Sequence, residues 1–113
     1  MKKQILTVLL LALLPFGLMA HSPQKVDVTY NKETSTVKVV VTHNVSDPTT
    51  HFVSLIVITV DGKEVKRFTE SKQANSKTET VEVVLTGVKP GIKIEAMAKC
   101  NLMGSKKGKM VVK

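Results

Sequence analysis

Phe52-Val53-Ser54-Leu55-Ile56-Val57-Ile58-Thr59-Val60, followed at once by Asp61-Gly62, is the stretch that decides the fold class. Its residues are apolar and mostly β-branched, the types that pack best on a pleated surface. A nearly continuous run of this kind predicts a strand buried on both faces. Asp and Gly tolerate the positive φ of a type I′ turn. Lys63-Glu64-Val65-Lys66-Arg67-Phe68 then resumes the pattern, so the pair reads as a hairpin.

Working outward, the same period of two recurs. Val26, Val28 and Tyr30 alternate with polar residues, as do Val37, Val39 and Val41, and then Val81, Val83 and Leu85. Lys89-Pro90-Gly91 marks a turn before Ile92, Ile94, Ala96 and Ala98, and Met110-Val111-Val112 suggests a last short strand entered through residues 104–108. Ser71 to Ser76 is polar and reads as a loop. No stretch has the spacing of a long amphipathic helix. About seven short strands separated by turn signals predict an all-β, immunoglobulin-like β-sandwich.

The chain opens with Lys2 and Lys3, an apolar run from Ile5 to Leu14, the breakers Pro15 and Gly17, and then Leu18-Met19-Ala20. This is the layout of a secretory signal peptide over residues 1–20. The apolar run is shorter than the roughly 20 residues that span a bilayer. The expectation is an exported or periplasmic domain over residues 21–113, with no membrane attachment after cleavage. Of 17 basic residues in the chain, removal of Lys2 and Lys3 leaves 15 against 9 acidic, a surplus of 6. With three phenylalanines, one tyrosine and no basic helix, nucleic acid is not the expected partner. A spread of lysines suits attraction of a small anion or an acidic partner.

One cysteine, Cys100, is unusual in an exported chain, because it can form no internal disulfide. It ends the strand that begins near Ile92. His43 ends the second strand and His51 begins the third, so both flank one connection at the same end of the sandwich. His21 precedes the first strand, and Met103 follows Cys100 closely. Imidazole and thiolate together suit zinc, copper and iron, and thioether shifts the preference toward copper. Coordination would also keep an unpaired thiolate from oxidation.

His21-Ser22-Pro23 before a valine-rich strand, His43 and His51 about a short loop, and Cys100-Asn101-Leu102-Met103-Gly104 resemble superoxide reductase, the iron domain of the desulfoferrodoxin and neelaredoxin family. The resemblance covers essentially the whole chain after residue 20. It implies an immunoglobulin-like sandwich holding a mononuclear non-haem iron, which reduces superoxide to hydrogen peroxide with electrons from a donor. It implies His21, His43 and His51 as equatorial ligands and Cys100 as the axial thiolate. Met103 stands where that family has its fourth histidine, a possible weak ligand, and the loop between His43 and His51 is longer than the family's. Copper bound through His, Cys and Met, as in an electron-transfer or metal-handling protein, is an alternative.

A second resemblance belongs to another functional class. Thr42-His43, His51-Phe52, Asp61-Gly62-Lys63 and Gly87-Val88-Lys89-Pro90-Gly91 are similar to SoxZ, the Z subunit of the thiosulfate-oxidation carrier. That resemblance implies a metal-free periplasmic sandwich supporting a sulfur-carrier partner. A homo- or hetero-oligomer is compatible with either.

Overall fold

A computed structural model describes residues 22–113 of the chain. The expected signal peptide over residues 1–20, and His21, lie outside the described residues. What is described is all-β, with strands β1 (Lys25–Asn31), β2 (Thr36–Thr42), β3 (Val53–Val60), β4 (Lys63–Thr69), β5 (Thr78–Val84), β6 (Lys93–Cys100) and β7 (Ser105–Val111). They form two antiparallel sheets, one of order β1-β2-β5 and one of order β4-β3-β6-β7.

The alternation read in the sequence becomes the core. Val26 and Val28 of β1, Val37, Val39 and Val41 of β2, and Val81 of β5 supply one inner face. Val53, Ile56 and Ile58 of β3 and Ile94, Ala96 and Ala98 of β6 supply the other. Each fully buried Val or Ile contributes on the order of 1.5–3 kcal/mol through removal of apolar surface from water.

β3 carries both odd- and even-numbered residues inward, which a strict period of two forbids. A register shift between Val53 and Leu55 resolves this, placing Val53, Ile56 and Ile58 all on the core face. The outer face of β3 is half-covered: Val57 is buried, while Leu55 and Thr59 are intermediate. The expected burial on both faces therefore holds fully for one face and partly for the other, since among the described residues no second layer covers the outside of the sheet.

Asp61 and Gly62 have φ of 48° and 84°, the left-handed pair that the hairpin between β3 and β4 requires. The last strand begins earlier than the sequence suggested, at Ser105 and not at Met110. Its lysines hide it from hydropathy, yet charged residues are common on edge strands because they discourage pairing with other chains. Gly108 makes the position of β7 attainable. A Cβ there would fall inside contact distance of the Val26 carbonyl, so β7 crosses β1 at backbone range.

Candidate metal centre

His43 and Cys100 each extend a column of core residues by one step. On β2 the inward positions are Val37, Val39 and Val41, and the next is His43, fully buried. On β6 they are Ile94, Ala96 and Ala98, and the last is Cys100, with 1% of its surface exposed. The two columns belong to opposite sheets and end at the same pole. His51 joins them from the connection between β2 and β3. One ligand atom from each of His43, His51 and Cys100 lies within 4.8 Å of the others. His51 Nε2 is 3.2 Å from Cys100 Sγ. The His43 and His51 rings meet edge to face with centroids 4.8 Å apart.

Gln73, 3% exposed in the loop after β4, fixes the tautomer of His43. Its Nε2 donates to the carbonyls of His43 at 2.8 Å and Asn75 at 2.9 Å, which turns Oε1 the other way. That oxygen accepts from the Val53 N–H at 3.1 Å and meets His43 Nδ1 at 2.9 Å. An amide oxygen only accepts, so Nδ1 carries the proton. In the neutral ring Nε2 then holds the lone pair, the arrangement that outer hydrogen bonds impose on histidine ligands.

Two devices place His51. Asp47 opens a tight turn: its carboxylate accepts from the Thr49 hydroxyl at 2.6 Å and the Thr49 N–H at 2.9 Å. Its carbonyl accepts from the His51 N–H at 3.0 Å. The Thr49 hydroxyl, and then the Thr49 N–H, hold the Asp47 carboxyl below its ordinary value. Asn101 acts from the other side. Its Nδ2 donates to the Thr50 carbonyl at 3.0 Å, and its Oδ1 accepts from the Phe52 N–H at 2.9 Å. Its own N–H donates to the Phe52 carbonyl at 3.0 Å. Asn101 thus grips the residues on both sides of His51 while adjoining Cys100 in the chain.

The sulfur also accepts from the Leu102 N–H at 3.4 Å. The loop closes through Gly104, whose carbonyl accepts from the Cys100 N–H at 3.0 Å. Gly104 has φ of +79°, and a Cβ there would be 2.6 Å from the Ser22 Cβ. The residue that follows His21 in the chain therefore lies against the Cys100 loop. Gln73 also borders an open cleft of about 380 Å³ that is lined by Pro48, Thr49, Lys72 and Glu79 among others.

Of the five residues expected at the site, the structure brings together His43, His51 and Cys100. Met103 sits three residues beyond Cys100 with 51% of its surface exposed, and His21 lies outside the described residues. Gln73 was not among the expected site residues, and nothing in its polar surroundings distinguishes it. Two imidazoles and a thiolate fit a thiophilic or borderline transition metal, among them iron, copper and zinc. Compared with known protein families, curated proteins and solved structures, the chain matches none of them.

Proposed function

We propose that the chain is an exported mononuclear metal protein of the superoxide reductase type, with His43, His51 and Cys100 holding a non-haem iron. The observation that carries this reading is the convergence of two imidazoles and a thiolate within 4.8 Å at one end of the core. A metal-free carrier subunit has no need of that convergence. The strand order, β1-β2-β5 against β4-β3-β6-β7, supports an immunoglobulin-like assignment of the sandwich. The resemblance adds His21 as a third imidazole, and the placement of Ser22 against Gly104 is compatible with that role.

When bound, iron would supply one electron to superoxide, which with two protons becomes hydrogen peroxide. The chain's own residues set up that chemistry. Gln73 keeps His43 in the tautomer that offers Nε2, Asn101 and Asp47 hold His51, and the Leu102 N–H contacts the sulfur. The excess of lysines draws anions toward the molecule.

Copper is the second reading, favoured by Met103 standing where the family has a histidine. Two imidazoles, one thiolate and a weak thioether are the donors of copper electron-transfer centres.

The test is the metal content and visible spectrum of the mature protein purified without oxygen. Near-stoichiometric iron, with a thiolate charge-transfer band on oxidation, supports superoxide reduction. Copper moves the protein to electron transfer. No metal, and none taken up on titration, overturns the site and favours the carrier-subunit reading.

A further inference from the structure

The outward face of the four-stranded sheet is charged unevenly. β3 carries no charged residue, and the two strands beyond it carry an excess of lysine. On β6 the outward positions are Lys93, Glu95, Met97 and Lys99; on β7 they are Ser105, Lys107, Lys109 and Val111. All four of these lysines are exposed, while Glu95 is half-buried between its cross-strand partners Thr59 and Lys109. Val57, Thr59, Arg67, Glu95, Met97 and Lys107 line one cleft, which places these positions on a common face. From β3 to β7 that face presents four lysines against one carboxylate, a surplus of 3. Other carboxylates flank β4. Glu64 is held by Arg67, the Asp61 Oδ1 accepts from the Lys93 N–H, and Glu70 follows the end of the strand.

The outward face of the other sheet is balanced. Lys25 lies 3.7 Å from the Asp27 carboxylate, and Lys38 is the cross-strand partner of Glu82. The same alternation therefore builds one neutral outer face and one cationic outer face.

We infer that the outward face of β6 and β7 is an adsorption surface for an anionic phospholipid bilayer. The residue types favour that partner over an acidic protein. Protein interfaces are enriched in aromatic residues and arginine and are poor in lysine. Here the available cations are lysines, since Arg67 is engaged by Glu64 in two hydrogen bonds. Tyr30 and Phe68 pack against the core, and Phe52 precedes β3. Lysines spread over an uncovered sheet suit a plane of headgroups, because each flexible stem lets its ammonium reach a phosphate independently. Val57 is buried and Met97 half-buried, so little apolar surface is offered for insertion. The attachment is thus electrostatic and reversible, and it is independent of the metal. The expected lack of membrane attachment follows from the apolar segments, which adsorption by charge does not use.

The test is co-sedimentation of the mature protein, with and without iron, with two kinds of vesicle: phosphatidylcholine alone, and phosphatidylcholine mixed equally with phosphatidylglycerol. Binding to the mixed vesicles and not to the neutral ones is expected, with iron or without. High salt should weaken it by about tenfold or more. Each lysine near an anionic surface contributes about a fivefold factor in affinity, so Lys107→Ala with Lys109→Ala should lower it about 25-fold. Lys25→Ala with Lys38→Ala removes the same charge from the balanced face and should change it by about twofold or less. Circular dichroism checks that both variants fold, and the salt and lipid comparisons need no substitution. Absent binding to the mixed vesicles, equal binding to both kinds, or equal loss in the two variants would overturn the adsorption surface. Amide shifts on β6 and β7 with soluble polyglutamate, without vesicle binding, would overturn it in favour of an acidic protein partner. Vesicle binding by a protein that takes up no metal would sustain it and overturn the metal reading alone.

Discussion

His51 Nε2 and Cys100 Sγ are 3.2 Å apart although 49 positions separate them in the chain. Asn101 accounts for much of this proximity, since it binds backbone groups of Thr50 and Phe52 while covalently joined to Cys100. Asn101→Ala removes two of those bonds and leaves a carbonyl and an N–H to water. The expected cost is about 1–2 kcal/mol of stability, read by denaturant unfolding. Metal affinity should fall more than stability does, because His51 loses its placement. A variant with weakened folding and unaltered affinity would show that Asn101 does not position the ligand.

Gln73→Leu tests the tautomer argument. The substitution removes the acceptor for His43 Nδ1 and Val53 N–H and the donor to two carbonyls, all in a buried place. Loss of the partner behind a ligating histidine lowers metal affinity by about 10–100-fold. Competition with a metal-binding dye measures it. Gln73→Glu keeps an acceptor for Nδ1 but cannot donate to the carbonyls of His43 and Asn75. It should therefore recover part of the affinity while remaining less stable than the parent.

Gly108 and Gly87 separate two reasons for glycine. Gly87 has φ of +75° with open space around it, so Gly87→Ala should cost about 1 kcal/mol, from backbone conformation alone. Gly108→Ala introduces a collision with the Val26 carbonyl and should cost more, about 1–3 kcal/mol. The order of the two midpoints in urea decides the matter.

Burial pushes the Glu79 carboxyl above its ordinary value; the Ala74 N–H at 2.6 Å opposes this in part, and the nearby Glu70 carboxylate adds to the rise. A folded value above the unfolded one means that ionised Glu79 works against folding. Its favourable contribution is present below the ordinary glutamate range and is lost as pH rises through the folded value. Glu79→Gln retains an oxygen for the Ala74 N–H and carries no charge. At neutral pH it should be at least as stable as the parent, and its stability should fall less between about pH 4 and pH 7. Thermal midpoints across that range check both statements.

The period of two, together with the continuous run and Asp-Gly turn of the β3–β4 hairpin, foretold six of the strands and the inner residues of β1, β2 and β6. It also carried the site further than composition alone, because His43 and Cys100 fall on the same parity as the valines and alanines before them. The bulge at Ser54 was not legible, since Val53, Ile56 and Ile58 are equally apolar and parity gives no sign of where a register slips. β7 was read too short because hydropathy tracks burial, and its lysines lie on an edge that water reaches. Gln73 escaped for the opposite reason. A buried glutamine is defined by the four groups that converge on it, and the three residues supplying them, His43, Val53 and Asn75, lie in separate segments.

Because His43 and Cys100 are the next steps of the core columns on β2 and β6, fold and chemistry are measured with one ruler. Inserting or deleting a single residue between Val37 and His43, or between Ile94 and Cys100, would turn the ligand outward even if every side chain at the site were retained. Changes of two residues would restore its direction and move it one step along the molecule. Descendants of this chain can therefore lengthen or shorten these strands only in even increments without losing the pole, whereas the connections beyond it can vary more freely in length.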